Sequence, residues 1–160
     1  MKYLFFLLFT ISSLQAQTKI HLGEGIYSSN KVLYTINESK VHQGNGIYSS
    51  NKVLYTFKDN KVHNGNGTFS SNKILLTIDG DKIRLGNGNY SSNKVLVTID
   101  NNKIRVGDGK YSSNKVIYTI DKNKVRLGDG TYSSNKVLYT IEGEISMHRL
   151  AALLYLISNS

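Results

Sequence analysis

Residues 53–57, Val-Leu-Tyr-Thr-Phe, alternate between two faces: Val53, Tyr55 and Phe57 on one, Leu54 and Thr56 on the other. β-Branched and aromatic residues in that order predict a short strand. Equivalent segments begin at Val32, Ile74, Val95, Val116 and Val137. In all of them the first face holds Val or Ile, then Tyr, Leu or Val, then Ile or Phe; the second holds Leu or Ile beside an unvarying Thr. Both sides of each strand are therefore expected to be at least half covered. A longer extended stretch separates these strands, as in Lys-Val-His-Gln-Gly-Asn-Gly-Ile-Tyr (40–48), and Gly-x-Gly interrupts it. The pattern changes after Gly143, where Ser146 and the apolar run from Met147 to Ile157 predict a helix over 146–157 with Ser146 as N-cap.

The glycine that opens each Gly-x-Gly stands at Gly23, Gly44, Gly65, Gly86, Gly107 and Gly128, a constant step of 21 residues. Six units of one length, with no insertion, imply six equivalent environments. Asn-Gly and Asp-Gly are hairpin-turn signals, but using them as turns would give three strands per unit and reverse the chain in alternate copies. Tyr-Ser-Ser-Asn-Lys barely varies, so its direction must be constant and each unit must hold two strands. Gly-x-Gly then reads as a bulge or kink inside one long strand. Its front half, Lys40–Gln43, pairs back through a turn at 37–39. Its rear half, Ile47–Ser50, is expected to pair forward through a turn at Ser50–Asn51. The fold class that follows is all-β: six 21-residue β-hairpin repeats in a closed or coiled antiparallel sheet, with a short C-terminal helix that plugs or caps the array. Closure would remove exposed strand edges.

Residues 1–16 lie outside the repeat. Lys2, a short apolar run and the Ala16–Gln17 junction have the form of a secretory signal peptide, and the run is too short for a spanning helix. The expected organisation is a signal peptide, 1–16, and one β-repeat domain, 17–160, with no membrane span after cleavage. The expected destination is periplasm, cell surface or exterior. The chain has no cysteine, which removes disulfides and thiolate metal sites. Its net charge is +9, and +8 once Lys2 is removed, with 19 Lys+Arg against 11 Asp+Glu remaining. A basic exported protein meets anionic partners.

The segments Gly-Asn-Gly-Ile-Tyr-Ser-Ser-Asn-Lys-Val-Leu-Tyr-Thr-Phe (44–57), Lys-Val-His-Asn-Gly-Asn-Gly (61–67) and the closing Ile-Glu-Gly-Glu-Ile-Ser-Met-His-Arg-Leu-Ala-Ala-Leu-Leu-Tyr-Leu-Ile (141–157) resemble the 4-fold beta flower proteins of bacteria. The resemblance runs over about residues 19–157. It implies a β-repeat fold ending in a short apolar helix and supplies no catalytic residues. Six units stand here where that name implies four, and Met147-His148-Arg149 stands where such helices carry acidic residues. A weaker similarity, through Gly-x-Gly-x-Tyr, is to MORN repeats, whose period is longer and whose Tyr-x-Gly is missing here.

The repeat places one lysine per unit after the Ser-Ser-Asn turn: Lys31, Lys52, Lys73, Lys94, Lys115 and Lys136. Six ammonium groups in a stack or ring form a candidate polyanion site; solvation of the turns is the plainer role. A second slot holds His21, His42 and His63 and then Arg84, Arg105 and Arg126, an outward basic stripe in which the three arginines join the candidate ligand-binding set. Stacked histidines without a carboxylate do not make a zinc site. Tyr27, Tyr48, Phe69, Tyr90, Tyr111 and Tyr132 form an aromatic column, expected to pack in the core or across strands. Glu24, Asp108 and Asp129 sit between glycines, but Asn fills the same slot elsewhere, which speaks against calcium. No serine has a private His–Asp partnership, and no paired carboxylates or phosphate loop appear. The composite expectation is an exported, non-enzymatic module without cofactors that binds an acidic glycan or surface polymer through a repeated basic surface. The alternative is a structural protein that associates with itself. Nucleic acid is the less fitting partner.

Overall fold

The computed structural model describes residues 17–159; the signal-peptide expectation for 1–16 lies outside them. Twelve strands run in chain order from β1 (Thr18–Leu22) through the alternating long strands β2 (Val32–Asn37), β4 (Val53–Lys58), β6 (Ile74–Asp79), β8 (Val95–Asp100), β10 (Val116–Asp121) and β12 (Val137–Glu142). Between them lie the short strands β3 (Lys40–Gln43), β5 (Lys61–Asn64), β7 (Lys82–Leu85), β9 (Lys103–Val106) and β11 (Lys124–Leu127). Every neighbour is antiparallel, and β1 pairs with β12, so the sheet is a closed barrel. Of the two predicted geometries, closed and coiled, the ring is the one formed.

Each short strand serves two partners. Val41 of β3 faces Ile36 of β2 on one side and Tyr55 of β4 on the other. The register slips at each second pairing, between Val41 and His42 against Tyr55 and Val53, so the β-bulge lies on the long strand at Leu54. Here the structure departs from the sequence-based expectation. Gly-x-Gly does not kink a strand, and Ile47–Ser50 forms no strand; residues 44–52 make a loop. The pairing expected of the rear half is made by β3 itself. A four-residue strand can pair on both sides, so the unit needs no fold-back within one strand.

The barrel has two unlike ends. Two-residue turns such as Glu38–Ser39 lie at one, the hairpin end, and take a left-handed first residue: Glu38 at φ 54°, Asn101 at 54°, Lys122 at 56°. At the other, the loop end, each loop leaves the barrel and folds back over its outside. Inward-facing side chains alternate with outward ones: Ile20, Val41, Val62, Ile83, Ile104 and Val125 are sealed in the core with Ile36, Phe57, Ile99 and Ile141.

A barrel of twelve strands is too wide for its own side chains to fill, and helix α1 (Met147–Ser158) occupies the space. Five consecutive residues, Leu150 to Leu154, are buried. At about 100° per residue they cover the full circumference, which a helix lying on a surface does not show. The helix enters at the hairpin end. Ser146 caps it by accepting from the Arg149 amide, Arg149 Nη1 donates to the Glu38 carbonyl at 3.1 Å, and its guanidinium lies over the Phe57 ring. It leaves at the loop end, where Tyr155, Ser158 and Asn159 border a cavity with Val106 and Leu127. It leans towards β6, β7 and β8. The side chains there explain the offset: Leu76 and Val97 stand in the slot that holds Tyr34, Tyr55, Tyr118 and Tyr139 on the other four long strands. Small residues admit the helix and the tyrosines fill the opposite crescent.

Candidate functional site

On the outer face the long-strand threonine and the short-strand histidine or arginine stand opposite each other, as Thr35 and His42 do. Both are buried because the unit's own loop lies over them. Thr35 Oγ1 donates to the Gly44 carbonyl at 2.8 Å and accepts from the Gly46 amide at 2.8 Å, so one hydroxyl clamps both glycines. Thr56, Thr77, Thr98 and Thr119 repeat the clamp within their units. Thr140 makes it across the seam, donating to Gly23 and accepting from Gly25. This satisfies the buried hydroxyl of the long strand and fixes a loop that has no regular structure.

The loop closes through Asn30, Asn51, Asn72, Asn93, Asn114 and Asn135, whose side-chain amides donate to carbonyls eight residues back. Arg84, Arg105 and Arg126 face outward but sit beneath the loops. Arg84 Nε donates to Asp79 at 2.8 Å and Nη1 to the Asn93 carbonyl at 3.1 Å. Arg105 pairs with Asp100 and Arg126 with Asp121 in the same way. With 11–13% of each side chain exposed, these guanidiniums hold the Tyr-Ser-Ser-Asn turn, and little of them faces solvent. His21 keeps a carboxylate at the seam, Glu142 at 2.9 Å. The equivalent of that carboxylate is Asn37 for His42 and Lys58 for His63. The Nδ1 atoms of all three histidines are buried without a hydrogen-bond partner. Among the described residues no cluster of His, Asp or Glu is placed to hold a metal.

Glu24, Asp108 and Asp129, between their glycines, reach back to Lys124, Lys82 and Lys103. Glu24 is held below the usual carboxylate range by its hydrogen bond to Lys124 and by that ammonium's charge. Asp81 is lowered likewise, by Lys110 first. The three loop acids thus act as staples between a loop and a strand two places away, and Asp81 ties its hairpin turn to the loop that carries Lys110.

The six turn lysines have a different setting. Lys31, Lys52, Lys73, Lys94, Lys115 and Lys136 are all exposed, and none makes an ion pair among the described residues. Their carbonyls accept from the last residue of each short strand, for example Leu22 N to Lys31 O and Gln43 N to Lys52 O, both 2.9 Å. That places one lysine per unit around the loop end.

The aromatic column is not in the core. Tyr27, Tyr48, Phe69, Tyr90, Tyr111 and Tyr132 are 72–76% exposed. Each ring lies against the second glycine of its own Gly-x-Gly. At Gly46, φ 114°, a Cβ would stand 2.9 Å from the Tyr48 ring. Glycine at that position provides both the backbone angle and the flat seat. The sequence signal was present in the fixed Gly-x-[Tyr/Phe] spacing, but the aromatic type suggested burial.

A family model described as 6-fold beta flower protein matches residues 20–154. Its repeat number is that of the six units and replaces the fourfold resemblance drawn from the sequence. No curated protein and no solved structure matches the chain.

Proposed function

The chain belongs to the 6-fold beta flower protein family, and from that premise we propose that it is an exported binding module for an acidic glycan or surface polymer, held through the lysine ring. The supporting observation is the sixfold pairing of a free lysine with an exposed aromatic ring four residues earlier in the same loop. An exposed ring seated on glycine offers an apolar face to a sugar, and the nearby ammonium meets its acidic group. Sixfold repetition makes weak contacts add through multivalency. Self-assembly is the second reading. Closure leaves no free strand edge through which copies would extend the sheet, and this supports the binding reading over it.

The test is retention on an immobilised polyuronate as salt is raised. Salt should release the protein, since exposed charge contacts are screened. Replacing Lys52, Lys73, Lys94 and Lys115 together with Gln should weaken binding by about tenfold or more and leave the fold intact. Replacing Tyr48, Tyr90 and Tyr111 with Ser should weaken binding to polyuronate and leave binding to polyphosphate unchanged. Undiminished retention of the lysine variant at low salt would overturn the proposal.

A further inference from the structure

The loop end of the barrel carries an apolar feature that polymer binding does not use. The last residue of each short strand faces the mouth, because it pairs directly with an inward residue of the long strand: Leu22 with Tyr139, Leu85 with Leu76, Val106 with Val97, Leu127 with Tyr118. In ring order these four are consecutive. They are 46–52% exposed. The two remaining rim positions are Gln43 and Asn64. Between Val106, Leu127 and Tyr155 the arc continues inward as a cavity of about 350 Å³. An arc of half-exposed aliphatic side chains marks an interaction surface.

The charge at this end is of one sign. The backbone amides of Leu22, Leu85, Val106 and Leu127 each donate to the carbonyl of a turn lysine at 2.9 Å, so the lysine ring and the apolar arc stand at one level. Each of the 11 acidic residues is placed elsewhere. They lie at or beside the hairpin-end turns, or between the glycines of a loop where a lysine pairs them. Among the described residues the mouth therefore presents an apolar centre inside a cationic ring with no side-chain carboxylate.

We propose that this end docks on an acidic lipid bilayer, with the apolar arc at the boundary between headgroups and acyl chains and the lysines on the lipid phosphates. Charge complementarity selects the occupant. A second copy docked mouth to mouth would bring six ammonium groups against six. An acidic polymer meets the lysines and leaves the arc in water. An acidic bilayer meets both, and the combination of apolar area with basic charge is what stable surface binding requires. The crescent of Tyr34, Tyr55, Tyr118 and Tyr139 just inside the rim suits the same boundary. The barrel sits end-on, since its outer wall is Thr, His and Arg beneath loops in which one exposed aromatic ring per unit stands among Gly, Ser, Asn and Lys, unlike the continuous apolar band of a barrel that crosses.

The chain beginning at Gln17, which holds every strand and the helix, is to be sedimented with phosphatidylcholine vesicles, plain or doped with phosphatidylglycerol. Binding to the doped vesicles alone is expected. A Val106→Trp reporter should shift its emission to the blue on binding. Substituting Leu85, Val106 and Leu127 together with Ser should lower partitioning by about tenfold or more and leave polyuronate retention unchanged. Circular dichroism checks the fold of that variant; if it fails, the Val106→Trp shift decides. No binding to doped vesicles, or binding with no emission shift, overturns the proposal. So does partitioning that a folded triple variant leaves unchanged. Loss of polyuronate retention with vesicle binding intact would instead remove the glycan reading and leave this one standing.

Discussion

At the residue scale, Thr35 shows how much one hydroxyl holds. It is fully buried and serves a carbonyl and an amide of the loop above it. Thr35→Val keeps the shape and strands both groups, so unfolding in denaturant should show a loss of roughly 1–3 kcal/mol. Full stability in the variant would show that the loop finds other partners. Tyr34 and Tyr139 make a second case. Burial raises both phenols above their ordinary value of 10.0, with the neighbouring Tyr55 adding to the first and Tyr118 and Tyr34 to the second. A raised value means the folded state favours the protonated phenol. That contribution is complete below pH 10 and fades as pH rises through the folded values, so the melting temperature should drop in this alkaline range. Tyr34→Phe with Tyr139→Phe should flatten the drop. The invariance of Thr was legible in the sequence, but its cause was not. The clamp joins a strand to glycines nine and eleven residues on, and no local pattern encodes that contact.

At the scale of elements, the long strands and the closing helix followed from hydrophobic alternation and from the apolar run after Ser146. The rear half of the glycine stretch did not. Ile47-Tyr48-Ser49-Ser50 resembles a strand in composition, yet the Tyr48 carbonyl accepts from the Asn51 amide at 2.8 Å in a tight turn, and the flanking residues are held by side chains, Gly46 by Thr35 and Gln43 by Asn51. A short strand with two partners had already used the ladder positions. The aromatic column was misplaced for a related reason: burial is the usual fate of Tyr in a β protein, and only the seat provided by Gly46 and its equivalents keeps these rings outside. For the helix, Leu153 is fully buried within the ring. Leu153→Ala should cost about 2–5 kcal/mol through the cavity it leaves. Chemical denaturation measures it, and a cost well under 1 kcal/mol would argue that the barrel does not grip the helix. Ala152→Leu should also destabilise, by about 1–3 kcal/mol, because Ala152 is fully buried and the added side chain must be overpacked into the core.

At the scale of the molecule, the ring was legible because the units share one length and direction; its seam was not. The sixth long strand has no hairpin partner of its own. β1 takes that place, with Lys19 opposite Glu142 where Lys124 stands opposite Asp121 in the unit before. Thr140 clamps Gly23 and Gly25, His21 meets Glu142, and Glu24 reaches across to Lys124. Deleting one internal unit, residues 65–85, changes strand number and hence radius. It should give aggregation or a large fall in melting temperature by calorimetry and size-exclusion chromatography; a soluble monomer melting within a few degrees of the parent would contradict the closed ring. The seam also sets an order of events. Eleven of the twelve strand pairings join neighbours in the chain, which a growing polypeptide can make as it is produced. The twelfth joins residues 18–22 to 137–142 and has the longest loop to close. The first strand to be synthesised is therefore the last to be seated. Until the final unit is made, the ring stays open with two strand edges bare. Under the export proposed above, that delay would keep the polypeptide threadable until its last unit is made.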